Sequence, residues 1–261
     1  MRVTPERFAV WQALAWTVCA TAALSLALTV VLRSCGPRVD IVPLGLTQVG
    51  VYGFALIVFA AWQKRPLLEL LALRVVPFRL CLAAAALGVV LQFPCTLLAN
   101  AVEQLYPLPE QVLAHRLALI TPRSTAHGVA IVLIVSFLGP CVEEFFFRGV
   151  MFGALRTGHS ALLTIAVVSV CFVLAHMDLR LLLPLLPAAW LMAEMRERSR
   201  SIWPGLSLHA GFNSLTLLGV FSGLVPTGKP PPVPLPFAFL GCLAATGLFR
   251  LIQRIAVESR S

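Results

Sequence analysis

Two adjacent carboxylates and a guanidinium, Glu143, Glu144 and Arg148, sit inside a run, roughly residues 129–155, that is otherwise apolar enough to cross a bilayer. A charge near mid-membrane costs at least ~2.5–3.5 kcal/mol on insertion scales, so such residues are rare and usually functional. Glu144 and Arg148 are four apart and share one helix face, close enough to pair. Glu143 points about 100° away at 3.6 residues per turn and is left without that partner. The spacing therefore predicts Glu144–Arg148 as an internal ion pair and Glu143 as the free carboxylate. A buried network that only fixes helix packing is the competing explanation.

Two further constellations have the same character. One apolar run ends at His176, with Phe172 one turn before it; in another, His209 and Asn213 lie four apart on one helix face. These residue types suit hydrolysis. A carboxylate in an apolar pocket is a stronger base toward water, and a neutral imidazole can share that water or pass a proton to a leaving amine. A second imidazole and a carboxamide can donate to the oxyanion of a tetrahedral intermediate; losing one such donor typically costs about 2.7–4 kcal/mol. Glu143 with two histidines could instead bind zinc. The helical HExxH pairing is missing and the ligands would come from three helices, so a metal-free site is the preferred expectation, with zinc left open.

In this order along the chain, Glu143-Glu144-x-x-x-Arg148-Gly149, Phe172-x-x-x-His176 and His209-x-x-x-Asn213 resemble the three motifs of the CAAX-protease and bacteriocin-processing family. That family of intramembrane endopeptidases includes the type II CAAX prenyl endopeptidase. The resemblance covers about residues 130–220. It implies that Glu143 activates water with help from His176, that His209 and Asn213 stabilise the oxyanion, and that Glu144 and Arg148 support the site. Within the family, both metal-dependent and metal-independent glutamic mechanisms have been described.

The elements that must hold these groups are apolar helices. The 261 residues are 59% hydrophobic and 12% charged, which excludes an ordinary soluble domain and indicates an all-α polytopic bundle forming one membrane domain. About eight runs approach the ~20 residues a span requires: 8–32, 42–62, 80–102, 127–155, 161–176, 181–195, 202–224 and 237–255. The first is too long for a signal-peptide core and reads as a retained anchor. Pro94 is expected to kink the third run and Pro140 the fourth, while Pro184 and Pro187 break the sixth. Residues 110–119 suit a short interfacial helix. The charged stretch 194–200 reads as a solvated helix end, and the first three runs and the last look generic. Residues 127–224 are the expected catalytic core.

The net charge of +9 is not the signature of a nucleic-acid partner, because the basic residues fall in short loops between apolar runs. With eight spans one side collects Arg2, Arg7, Lys64, Arg65, Arg74, Arg79, Arg156, Arg196, Arg198, Arg200, Arg250, Arg254 and Arg260. The other has Arg33, Arg38, Arg116, Arg123, Arg180 and Lys229. That asymmetry predicts both termini in the cytoplasm. The seven cysteines are scattered, with no CxxC, and read as small core residues, Cys141 beside Glu143 being the one with a chemical alternative. Arginine far outnumbers lysine, a weak pointer to a bacterial cytoplasmic (inner) membrane.

The expected partners are the bilayer and a membrane-anchored or lipidated protein or peptide cut near its C-terminus. A non-catalytic scaffold or immunity-type protein and a proton-coupled transporter are the alternatives; the inverted repeats common in transporters are not evident. One tension stands in this scheme. If residues 161–176 cross the membrane fully, His176 and His209 differ in depth by roughly 10 Å at ~1.5 Å per residue.

Overall fold

A computed structural model describes residues 8–35, 40–64, 66–225, 229 and 231–258, with no strand among them. The basic-residue positions Arg2, Arg7, Arg38, Arg65 and Arg260 lie outside the described residues. In chain order the helices are α1 (Val10–Cys35), α2 (Ile41–Gln63), a single turn α3 (Leu67–Leu70), α4 (Phe78–Leu105), α5 (Glu110–Ile120), the long α6 (Thr125–Arg156), α7 (Ala161–Leu174), α8 (Leu182–Ser199), α9 (Trp203–Phe221) and α10 (Leu235–Glu258).

Local chemistry sets the helix starts. Asp40 accepts from the Val42 amide at the head of α2, Ser124 from His127 at α6 and Ser160 from Leu163 at α7. Pro204 opens α9 at a position where a missing N–H costs nothing. Lys64 and Arg200 close α2 and α8 in the left-handed region, at φ 51° and 56°.

Among the described residues five helices are long and apolar enough to cross a membrane: Val10–Ser34, Ile41–Gln63, Phe78–Leu105, Thr125–Arg156 and Leu235–Ile255. The other three expected spans differ. The 14-residue α7 is only about 21 Å long at ~1.5 Å per residue, short of a ~30 Å hydrocarbon core. The helices α8 and α9 are 18 and 19 residues, interrupted by charged or polar side chains. Nor do the prolines break α8. Pro184 sits in its first turn, where no backbone donor is needed, and the helix runs on through Pro187. Pro94, where a kink is expected, lies inside the single helix α4.

Small residues fix the spacing of the inner helices. A Cβ added at Gly88 of α4 would stand 2.1 Å from the Leu208 carbonyl oxygen, and one at Gly211 of α9 would stand 2.3 Å from the Ala85 oxygen. The two backbones therefore touch, which only glycine permits. Gly45 of α2 does the same toward α6, its missing side chain leaving room for Ile134. The core gathers around the second half of α6, where Phe146, Phe147, Val150, Met151, Phe152 and Leu155 are all buried.

Candidate active site

The helix α6 is not regular. It passes from α-helix (Thr125–Val132) into a wide π segment (Leu133–Leu138), back to α (Gly139–Glu144), into a second π segment (Phe145–Met151), and ends as α (Phe152–Arg156). Pro140 lies just past the first wide turn, and Glu143 and Glu144 lie between the two. Such π turns inside α-helices often accompany functional sites, because they re-aim side chains without ending the helix.

The two glutamates face different surroundings. Glu144 and Arg148 are fully buried and pair at 2.8 Å, as their spacing predicts. Arg148 also donates to the Ala189 carbonyl at 3.0 Å, and its guanidinium carbon lies over the Phe172 ring, 4.2 Å from the centre. This is the fixed, multiply anchored geometry a guanidinium supports and an ammonium does not. Beside the second oxygen of Glu144, Gly205 leaves space: a Cβ there would stand 3.2 Å from it.

Glu143 is 13% exposed and opens onto a cavity of about 350 Å³, within the usual size range of ligand pockets. It is not without a partner, contrary to the expectation from its own helix. Gln48 of α2 donates its carboxamide N–H to Glu143 Oε1, and Oε2 lies 3.7 Å from His209 Nε2. The partner comes from another helix, which spacing within α6 cannot reveal. Gln48 is thus the site residue that sequence reasoning missed, and α2 is not generic. The signal was a glutamine in the interior of a largely apolar helix, on the same face as Gly45 and Tyr52, three and four residues away.

His209, itself buried, joins the two carboxylates. Its Nδ1 is 3.2 Å from Glu144 Oε1 while Nε2 faces Glu143. His176 lies beyond the last turn of α7. Its Nδ1 is 2.9 Å from the Phe172 carbonyl, which can only accept, so Nδ1 carries the proton and a neutral ring keeps its Nε2 lone pair. The Phe172 ring meets His176 edge-on at 4.9 Å and His209 at 5.6 Å. One aromatic ring touching both histidines removes the expected depth difference. The premise of a fully crossing 161–176 segment fails, because α7 stops at Leu174, within the thickness of a bilayer.

Asn213 donates from Nδ2 to the Val135 carbonyl at 2.8 Å, in the wide turn of α6. Glu143, Phe172, His176, His209 and Asn213 all line the same cavity as Gln48; Glu144 and Arg148 stand behind it. The apolar part of the wall includes Ile41, Ile134, Leu181, Leu185 and Phe212. Cys141 is half-buried and does not line the cavity. Among the described residues no three His, Cys, Asp or Glu side chains are grouped to hold a metal ion. Glu144 and His209 already engage each other and Arg148.

The stretch 194–200 also differs from a solvated helix end. Arg196 turns inward, donates to the Arg148 carbonyl at 2.9 Å and lies over Phe152, while Glu197 holds Arg156 through two bonds of 2.8 and 2.9 Å. The Arg156 pair holds the Glu197 carboxyl below its ordinary range. At the other end of α8, Asp178 binds Arg180 at 2.7 Å and Arg116 of α5 at 2.9 Å. Those two guanidiniums hold Asp178 well below the usual carboxylate range.

Residues 125–215, the stretch that carries every one of these motifs, match the family described as Rce1-like, type II CAAX prenyl endopeptidase Rce1-like. This stretch, about a third of the chain, carries a domain similar to that family of membrane endopeptidases. A relative in Bacillus subtilis (strain 168), named "Putative membrane peptidase YdiL", is 29% identical over 87 residues, or 33% of this chain and 36% of that protein. The match therefore spans about a third of the length of that curated relative. No solved structure matches. With its apolar helices and this domain, the chain is an integral membrane protein.

Proposed function

We propose that this protein is an intramembrane endopeptidase that uses Glu143 to activate water. The observation that carries this reading is convergence: three separate segments bring Glu143, His176, His209 and Asn213 to one cavity. A water between Glu143 and the free Nε2 of His176 loses a proton to Glu143, and the hydroxide attacks the scissile carbonyl carbon. The C–O bond that forms leaves an oxyanion. His209 and Asn213 are the donors on that side of the cavity. With its Nδ1 engaged by Glu144, His209 presents Nε2 to the cavity beside Glu143, where that nitrogen donates to the oxyanion when it carries a proton. Collapse of the intermediate breaks the C–N bond, and the proton held by Glu143 passes to the leaving amine. Gln48 holds one oxygen of Glu143, leaving the other for the water.

The substrate is a membrane-anchored or lipidated protein or peptide cut near its anchored end. The catalytic core is 127–224, both termini face the cytoplasm, which requires an odd number of crossings among α7, α8 and α9 besides the five long helices, and the membrane is a bacterial inner membrane. Cysteine-accessibility mapping of single substitutions at Arg33, Arg156 and Lys229 tests the orientation; labelling of the Arg156 position from outside overturns it. The activity is tested by Glu143→Gln, compared with wild type for membrane-protein termini by proteomics. Cleavage is expected to fall by at least about 10²–10⁴-fold while insertion and thermal stability hold. An active Glu143→Gln protein refutes the assignment. Cleavage that a chelator abolishes and zinc restores would replace the metal-free mechanism with a metal-dependent one.

A further inference from the structure

The wide turn before Pro140 leaves a backbone acceptor open, and a side chain from another helix closes it. In the first π segment the bonds run five residues back: the Gly139 amide donates to the Ile134 carbonyl. The next bond in that register would run from residue 140 to the Val135 carbonyl. Proline has no N–H, so this bond cannot form. The Val135 carbonyl instead accepts from Asn213 Nδ2 at 2.8 Å, across from α9 to α6. Both residues line the cavity, and Glu143 follows three residues after Pro140.

We infer that Asn213 is a positioning residue whose carboxamide replaces the donor Pro140 lacks, pinning the wide turn of α6 to α9 and so setting where Glu143 faces. This goes beyond a role as oxyanion donor, since it commits one of the two Asn213 N–H groups to the helix backbone and leaves one for the cavity. Helix kinks at proline commonly recruit side-chain or water partners for the freed carbonyl. Here the partner is on the helix that also carries His209, so the general-base and oxyanion walls are tied at one point.

The experiment is a double-mutant cycle on the full chain in detergent micelles, with Asn213→Ala and Pro140→Ala singly and together. In the native background Asn213→Ala exposes a lost partner for a cavity-wall carbonyl, and Tm is expected to fall by about 3–8 °C. In the Pro140→Ala background the main chain at that position regains its N–H, and the same change is expected to lower Tm by less than about 1 °C. Equal losses in the two backgrounds overturn the inference. If Pro140→Ala does not fold, hydrogen exchange over residues 133–144 in Asn213→Ala alone reads the contact: faster exchange supports it and unchanged exchange overturns it. The thermal cycle needs no catalysis, so its outcome is separate from that of the protease reading. Where cleavage is measurable, part of the kcat lost in Asn213→Ala is expected to recover in the double variant, the remainder being the cavity donor that both variants lack. A pure oxyanion donor would show no such rescue.

Discussion

Two of the clusters in which an acid meets arginine are built on opposite terms. In the middle of the bundle, Glu144 and Arg148 are 0% exposed, with the guanidinium also bonded to a backbone carbonyl and lying on an aromatic ring. At the head of α8, Asp178 bridges Arg180 and Arg116, and Arg116 is 48% exposed. The bond lengths are nearly the same. What differs is the alternative available to each group once its partner is gone. Water can take over at Asp178, whereas nothing can at Glu144. The inner pair is therefore an obligation on the fold, and the outer one only tethers α5 beside the turn that carries His176.

Removing one member of each pair sharpens that contrast. Arg148→Ala leaves the buried Glu144 carboxylate with only His209 beside it and is expected to destabilise the protein by about 3–5 kcal/mol in thermal or denaturant unfolding. Replacing both Glu144 and Arg148 by leucine is expected to cost less than either single change. A double variant as unstable as the sum of the singles would break the comparison. Between the extremes lies Gln48→Leu, which strips a hydrogen bond from the half-buried Glu143. A loss of about 10–100-fold in kcat, with KM nearly constant, is expected if that carboxylate must be oriented.

Asp178→Asn is the smallest change, within about 1 kcal/mol at neutral pH. Its pH dependence has a defined sign. The folded-state value is lowered by Arg180 and Arg116, so the stabilisation is whole above the unfolded value of about 3.9 and fades as pH falls through the lower folded value. Unfolding of wild type and Asp178→Asn below about pH 4 should therefore converge. Curves that stay parallel through that range would show that the outer cluster does not stabilise the fold.

What the sequence reveals and what it hides follow the same division between local and distant contacts. The Glu144–Arg148 pair was legible because i,i+4 geometry is intrinsic to a helix. Likewise the grouping of Phe172, His176, His209 and Asn213 followed from a small set of polar residues in apolar runs. Gln48 escaped because a single interior glutamine in a 23-residue helix has no pattern, and its partner is 95 residues away. Arg196 escaped for the opposite reason: a run of charges reads as solvated although one of its members folds back. The Pro140 bend was expected, but not the five-residue register on either side of the glutamates. That register depends on what the neighbouring helices offer to the displaced carbonyls.

The seam between α4 and α9 has a consequence for how this site tolerates change. Helix α4 contributes no residue to the cavity, yet through Gly88 and Gly211 its main chain is in direct touch with the helix bearing His209 and Asn213. Nothing compressible lies between them to absorb a misfit. A single methyl group added on α4, out of reach of any substrate, would be transmitted as a displacement of the histidine itself. Helix α4 is thus held to the tolerances of a cavity it does not line.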